Sequence, residues 1–205
     1  MNPPDLDPRA VLAIGTLTAY LIGSLSFAVI VSRLFGLADP RTYGSGNPGA
    51  TNVLRSGHKG AAVLTLLFDA LKGYVPVAIA QSLGLDAVAV TAIGLSAFIG
   101  HLWPVFFKFK GGKGVATAAG VLFGFAPGLG GMVLLTWLGM AVVFRYSSLA
   151  ALTAALSAPV IQYLGWGTGP ATVGCVVMGA LLIWRHEANI SKLLAGQESK
   201  LGRKA

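Results

Sequence analysis

Four short segments carry most of the side chains in this sequence that could do chemistry; each holds an arginine or lysine, and the first three add glycine or hydroxyl groups. The first runs Gly44, Ser45, Gly46, Asn47, Pro48, Gly49, Ala50, Thr51, Asn52, with Arg55 after it. Its glycines and proline make turns, its hydroxyls and amides donate hydrogen bonds, and a helix starting near Thr51 puts the guanidinium one turn beyond Asn52. Such a segment can surround an anion, although an ordinary polar connector uses the same residue types. The second runs Phe107, Lys108, Phe109, Lys110, Gly111, Gly112, Lys113, Gly114 and leads straight into a helical stretch from Val115. Glycines at a helix mouth let backbone N–H groups and the positive dipole end approach a phosphate, and Lys113 adds a point charge. This is not a nucleotide P-loop, because no glycine stands at the required distance before Gly112 and no Ser or Thr follows Lys113. A basic flank that sets membrane topology would explain the lysines but not the glycines.

The third segment, Arg145, Tyr146, Ser147, Ser148, combines two hydroxyls with a cation; a helix-capping serine pair beside a topology-setting arginine is the plainer alternative. The fourth holds Arg185, His186 and Asn189, the last two on one face if the preceding helix continues. A histidine there can bond a phosphate, orient a hydroxyl or take its proton, or be an ordinary hydrogen-bonder. Glu198 is expected to order the tail through a basic neighbour. Asp69 and Lys72, three apart in an apolar run, share a helical face, and both structural support and direct substrate contact stay open for them.

Several chemistries are excluded. Asp39, Glu187 and Glu198 are too scattered to form a magnesium-binding cluster, so no metal or other cofactor is expected. No Gly-x-Ser-x-Gly elbow occurs, and no histidine is followed five positions on by aspartate. The single cysteine, Cys175, lies in an apolar run without a partner. What remains is the handling of anions.

The elements that position these segments follow from hydropathy. The 205 residues are 55% hydrophobic and 11% charged, with mean hydropathy +0.73, and the apolar residues come in unbroken runs. That pattern predicts an all-α polytopic membrane protein with a single domain over 1–205. The runs are Val11–Ser32, Gly60–Leu83, Ala87–Phe107, Val115–Ala126, Gly131–Phe144, Leu149–Leu164 and Ala171–Trp184. The first lacks a cleavage pattern and is read as a retained helix. The fourth to sixth are short, which leaves five to seven spans; the charges favour seven. With the N-terminus outside and the C-terminus cytoplasmic, the inside loops collect Arg41, Arg55, Lys59, Lys108, Lys110, Lys113, Arg145, Arg185, Lys192, Lys200, Arg203 and Lys204. The outside loops hold Asp86 and no lysine or arginine; Arg9 lies outside beside Asp5 and Asp7, and Arg33 snorkels inward. The net charge of +8 then fits the inner leaflet or phosphorylated ligands rather than nucleic acid. Gly120 and Gly124, four apart, predict close helix packing, and Ile190, Leu193 and Leu194 a short interfacial helix.

With these motifs in view, the chain resembles the bacterial acyl-phosphate:glycerol-3-phosphate acyltransferases, small membrane enzymes of phospholipid synthesis, over nearly its whole length. The resemblance is carried by Gly44–Asn52 with Arg55, by His101–Pro104 continuing into Lys110–Thr117, by Arg145–Ser148, by Asp69–Gly73, and by Arg185, His186, Asn189 and Ile190 with Gly196 and Glu198 beyond. Glu187 departs from the family's commoner basic residue, while the His186–Asn189 spacing is kept. The resemblance implies seven helices in a bacterial inner membrane and an active site facing the cytoplasm. It also implies transfer of an acyl group from acyl phosphate to the first hydroxyl of glycerol 3-phosphate, giving lysophosphatidic acid and phosphate, without an obligatory protein partner. Lys113, His186, Ser147 and Asn189 are the catalytic residues it implies. Ser45, Asn47, Gly49, Thr51, Asn52, Arg55, Gly111, Gly112, Gly114, Thr117, Arg145 and Ser148 are the substrate-binding ones. The attacking hydroxyl's proton is expected to pass to the donor's own phosphate, with His186 the second candidate. Residue types alone also allow an anion transporter or a lipid-binding scaffold. Against a transporter, the cations gather at one face rather than the midplane, and no repeat is visible.

Overall fold

The computed structural model describes residues 7–202, so Asp5, Arg203 and Lys204 of the charge reading lie outside the described residues. Every regular element among the described residues is helical: α1 Pro8–Gly23, α2 Phe27–Leu34, α3 Ala50–Leu54, α4 Lys59–Ser82, α5 Ala87–Leu102, α6 Val115–Phe125, α7 Pro127–Phe144, α8 Ser147–Trp166, α9 Pro170–Arg185 and α10 Glu187–Leu194. The chain is an all-helical, multi-pass membrane protein. By length and apolarity, α4, α5 with its 3-10 extension to Phe107, α7 and α8 can each cross a bilayer. The bent pair α1 and α2 makes a fifth candidate, while α6 and α9 are shorter apolar helices.

Local residues set the helix ends. Pro8 opens α1 behind Asp7, whose carboxylate accepts from the Arg9 N–H at 2.9 Å. The Asp86 carboxylate accepts from Ala89 N–H at 2.8 Å and so caps α5. Two lengths differ from the sequence reading. The fifth run starts at Pro127, well suited to a first helical turn, and reaches 18 residues; the sixth extends over Ser147–Trp166, 20 residues. The first run, read as one helix, breaks after Gly23 and resumes at Phe27 with a 43° bend. The break frees the Leu25 carbonyl, which accepts from Lys72 Nζ at 2.7 Å.

The bundle is held by backbone-to-backbone approaches at small residues. A Cβ on Gly120 would overlap the Ala70 carbonyl, and one on Gly73 would overlap the Thr117 carbonyl, so α4 and α6 interlock reciprocally. Gly124 meets Val77 on the same seam, as the four-residue glycine spacing predicts. Gly23 lies against the Ala97 backbone and Gly100 against that of Tyr20, which locks α1 to α5 in the same way. Phe98, Leu102, Val121 and Leu129 fill the centre, with Cys175 buried among them. Leu135, Val142 and Val143 on α7, and Leu156 and Leu164 on α8, are exposed, as lipid-facing side chains are.

Candidate active site

All four sequence segments meet at one end of the bundle. In the first, Asn52 is buried and organises the turn: its Oδ1 accepts from Ser45 N–H at 3.0 Å, and its Nδ2 donates to the Pro40 and Tyr43 carbonyls at 2.6 and 3.2 Å. The Gly46 and Gly49 N–H groups are bound to Tyr43 and Asn47 carbonyls. The anion-cradling N–H groups expected here are therefore partly spent on the turn itself. Position 44 takes glycine twice over, for its positive φ of 58° and because a Cβ there would strike Asn52 Oδ1. Arg41, bound through Nε and Nη2 to the Asp39 carboxylate, which it holds below the usual aspartate range, stiffens the approach to the loop. Ser45 is exposed and Asn47 and Gly49 are partly so, and Thr51, in the first turn of α3, has its hydroxyl 3.3 Å from Ser147 Oγ.

In the second segment Gly114 takes φ +84°, turning the chain into α6 where a side chain would collide with Phe98. Among the described residues the N–H groups of Lys113 and Gly114 have no backbone partner. Arg185 clamps the loop from behind, donating through Nε to the Gly112 carbonyl at 3.2 Å and through Nη2 to the Gly111 carbonyl at 2.9 Å. Gly46, Pro48 and Gly111 line a groove of about 490 Å³ between the two loops, with Lys108 and Lys110 on its wall. Thr117 is different: it is fully buried, and its hydroxyl lies 3.1 Å from His101 Nδ1, facing away from the groove.

The third and fourth segments close the site through a run of polar contacts. Lys113 Nζ donates to Asn189 Oδ1, Asn189 Nδ2 donates to Glu198 Oε1 at 2.8 Å, and Ser148 Oγ donates to the same oxygen at 2.8 Å. Neither serine is spent on capping α8, which removes the plainer reading of that pair. Glu198, expected to bind a basic neighbour, bonds instead to Ser148 and Asn189. Its carboxylate is the hub that the sequence reading missed; the available signal was its position as the one acid in a basic tail. The rest of the tail follows it across the site. Arg55 Nη2 donates to Ser199 Oγ at 2.6 Å, and Arg145 exchanges two bonds with Leu201, through its Nη2 at 3.0 Å and its carbonyl at 2.6 Å. Arg145 thus anchors the tail.

His186 is not on a continued helix: α9 stops at Arg185, and His186 caps it and starts α10, which brings Asn189 back toward Lys113. It is buried, and its Nδ1 lies 2.8 Å from the Leu182 carbonyl, so the Nδ1–H tautomer satisfies both groups and leaves Nε2 as an acceptor. Burial first, then the charge of Lys113, push its pKa down to about 4, so the imidazole is neutral at neutral pH. Burial likewise lowers Lys113 to about 8; Glu198 opposes this, and Arg55, Lys192 and Arg185 add to it. Four cations around one carboxylate make a strongly electropositive pocket.

The glycerol-3-phosphate acyltransferase family pattern matches residues 13–196 of this chain. The chain belongs to the glycerol-3-phosphate acyltransferase family. Members from Burkholderia lata and Burkholderia cenocepacia are 60% and 59% identical over 195 and 196 residues, 94% of this chain and 92% of each relative. Two crystal structures of PlsY (YgiH), an integral membrane glycerol 3-phosphate acyltransferase, share the architecture. Its glycerol 3-phosphate form superposes with TM-score 0.89 at 43% identity, covering 93% of this chain and 96% of that one. Its lysophosphatidic acid form gives 0.87 at 42% identity, covering 93% and 95%. Membership of the family makes the protein a glycerol-3-phosphate acyltransferase.

Proposed function

We propose that this protein transfers a fatty acyl group from acyl phosphate to the sn-1 hydroxyl of glycerol 3-phosphate, releasing lysophosphatidic acid and inorganic phosphate. The observation that carries the reading is the contact run from Lys113 through Asn189 and Glu198 to Ser148, with Thr51 on Ser147 beside it, in a member of this family. Both substrates bring phosphate to one place, so the protein's main tasks are to align them and offset their repulsion. The Gly111–Gly114 loop and the first loop hold the acyl-phosphate headgroup; Arg55, Lys113, Ser147, Ser148, His186 and Asn189 hold glycerol 3-phosphate. The acyl chain lies between helices; an apolar groove of about 330 Å³ between α4 and α6, lined by Leu67, Leu71, Tyr74 and Phe123, is open to it.

In the reaction the glycerol oxygen attacks the acyl carbonyl carbon, the bond from that carbon to the phosphate oxygen breaks, and the hydroxyl proton passes to the departing phosphate. An acyl phosphate is already activated, so no covalent enzyme intermediate is needed. A neutral histidine with a pKa near 4 is a weak base at neutral pH, which supports the donor phosphate as proton acceptor and His186 Nε2 as a partner for a substrate hydroxyl. Accordingly His186→Gln raises KM for glycerol 3-phosphate about tenfold while kcat stays within a few-fold. A kcat loss of two orders of magnitude at saturation would instead make the histidine the base.

The seven apolar segments are read as seven crossings of a bacterial inner membrane, with the N-terminus outside and the site on the cytoplasmic face where lysine and arginine gather. Cysteine accessibility at Ser199 and Asp86 in intact cells tests the sidedness. Purified protein offered acyl phosphate, acyl-CoA and acyl carrier protein thioester side by side with glycerol 3-phosphate tests the donor. Exclusive use of acyl phosphate is expected, and turnover on either thioester alone overturns the assignment.

A further inference from the structure

Directly behind the second glycine loop, α4, α5 and α6 enclose four polar side chains that the reaction itself does not use. Asp69 and Lys72 form an ion pair at 2.7 Å, 2% and 3% exposed. His101, in the last turn of α5, lies 3.7 Å from Asp69 Oδ1 and 3.1 Å from Thr117 Oγ1 in the first turn of α6. Polar groups so deep in an apolar bundle are costly unless they are paired, and they mark a function by default. Lys72 satisfies a second demand by bonding the Leu25 carbonyl at the bend of the first span.

The upper end of this cluster is in contact with the loop. The His101 carbonyl accepts from the Gly112 N–H at 3.2 Å. Its imidazole occupies the space a Cβ on Gly112 would take, and the same Cβ would be 3.1 Å from the Pro48 carbonyl of the first loop. The histidine ring thus fills the space beside Gly112, with the Pro48 carbonyl close by, so the position of the ring bears directly on the second glycine loop. Gly111 is seated likewise, since a Cβ there would overlap the His101 and Leu102 carbonyls. Thr117 completes the arrangement: its hydroxyl fixes the ring, and its carbonyl meets Gly73, one residue from Lys72.

We propose that His101, held by Thr117 and the Asp69–Lys72 pair, is a positioning residue that seats the Gly111–Gly114 loop and so sets where the donor's phosphate binds. This rests on the acyl-phosphate reading above. The residues touch no reacting atom; they act through the backbone of Gly112. Their loss therefore falls chiefly on the donor: of the acceptor's holders only Lys113 sits on this loop, while Arg55, Ser148 and Asn189 are tied to the tail.

Thr117→Val removes the hydroxyl at nearly constant shape. It is expected to raise KM for acyl phosphate about tenfold or more, as loss of outer supporting contacts does elsewhere, and to raise KM for glycerol 3-phosphate severalfold less, through Lys113 alone. Thr117→Ser returns the hydroxyl and should recover most of the donor affinity. Asp69→Asn, which keeps the side-chain shape but withdraws the charge, gives the same donor-selective rise by an independent route, and melting in detergent follows folding for each variant. Unchanged donor KM in a folded variant overturns the proposal. So does an equal loss for both substrates that Thr117→Ser does not reverse, since that is mere destabilisation. The wild-type assay alone decides whether acyl phosphate is the donor, whereas only the variant-to-wild-type ratio bears on His101, so the two failures are told apart.

Discussion

Lys113→Ala is expected to lower kcat/KM by about a thousandfold or more, the scale seen when a preorganised electrostatic donor is removed from a reacting centre, while the protein still inserts and purifies. The size follows from position. The ammonium is half-buried, is bonded to Asn189 Oδ1, and stands at the glycine loop where the proposed reaction brings two phosphate-bearing substrates together. Its charge is also conditional. Burial brings its pKa from the ordinary lysine range to about 8, so the free enzyme loses the cation as pH rises through that value. The sign is therefore set: kcat/KM falls above about pH 8, and kcat holds to higher pH because a bound phosphate stabilises the ammonium. Lys113→Arg keeps the charge but replaces a compact point donor by a planar fork, and recovers little activity. Steady-state rates from pH 6 to 10 check all three statements. Full activity of Lys113→Ala would remove this lysine, and the pocket built around it, from the mechanism.

The helices were legible because hydrocarbon allows little else: long runs without charge can only be helical spans. Helix mouths were legible where glycine marks them, as at Gly114. What escaped was set by contacts distant in sequence. The run Val11–Ser32 contains no residue that demands a break, since the group that binds the freed Leu25 carbonyl is Lys72, 47 positions on. The start of α7 at Pro127 was hidden because proline and glycine read as a loop before a neighbour is known. In the site, residue types pointed to Lys113, Ser147 and Asn189, but not to what each does. Asn52 and Thr117 have binding-loop chemistry and yet face inward, one holding the first loop and the other His101. Glu198 looked like a tail acid because a carboxylate among lysines suggests an ion pair. The fold instead presents it with an amide and a hydroxyl.

That arrangement yields the second large effect. Among the described residues Asn189 is the side chain that hydrogen-bonds both the cation and the carboxylate, and its two ends are not interchangeable: Oδ1 receives Lys113, and Nδ2 gives to Glu198. Asn189→Asp preserves shape and the lysine contact but turns a donor into an anion facing another anion at hydrogen-bond distance, a repulsion that a partly buried site screens poorly. The tail that Glu198 pins across the site through Ser148 is then pushed away, and activity is expected to fall by about a hundredfold or more. Adding Glu198→Gln places an amide NH2 opposite the new carboxylate, and Ser148, whose hydroxyl faces the same atom, can turn to accept its second hydrogen. The double variant should therefore be at least about tenfold more active than Asn189→Asp alone, although Glu198→Gln by itself is impaired, because residues in one network do not add. Kinetic parameters for the four proteins of this cycle give the coupling directly. If the two losses simply multiply, Asn189 and Glu198 act separately, and the run from Lys113 to Ser148 is a static contact rather than the part of the pocket that orders the tail over its substrates.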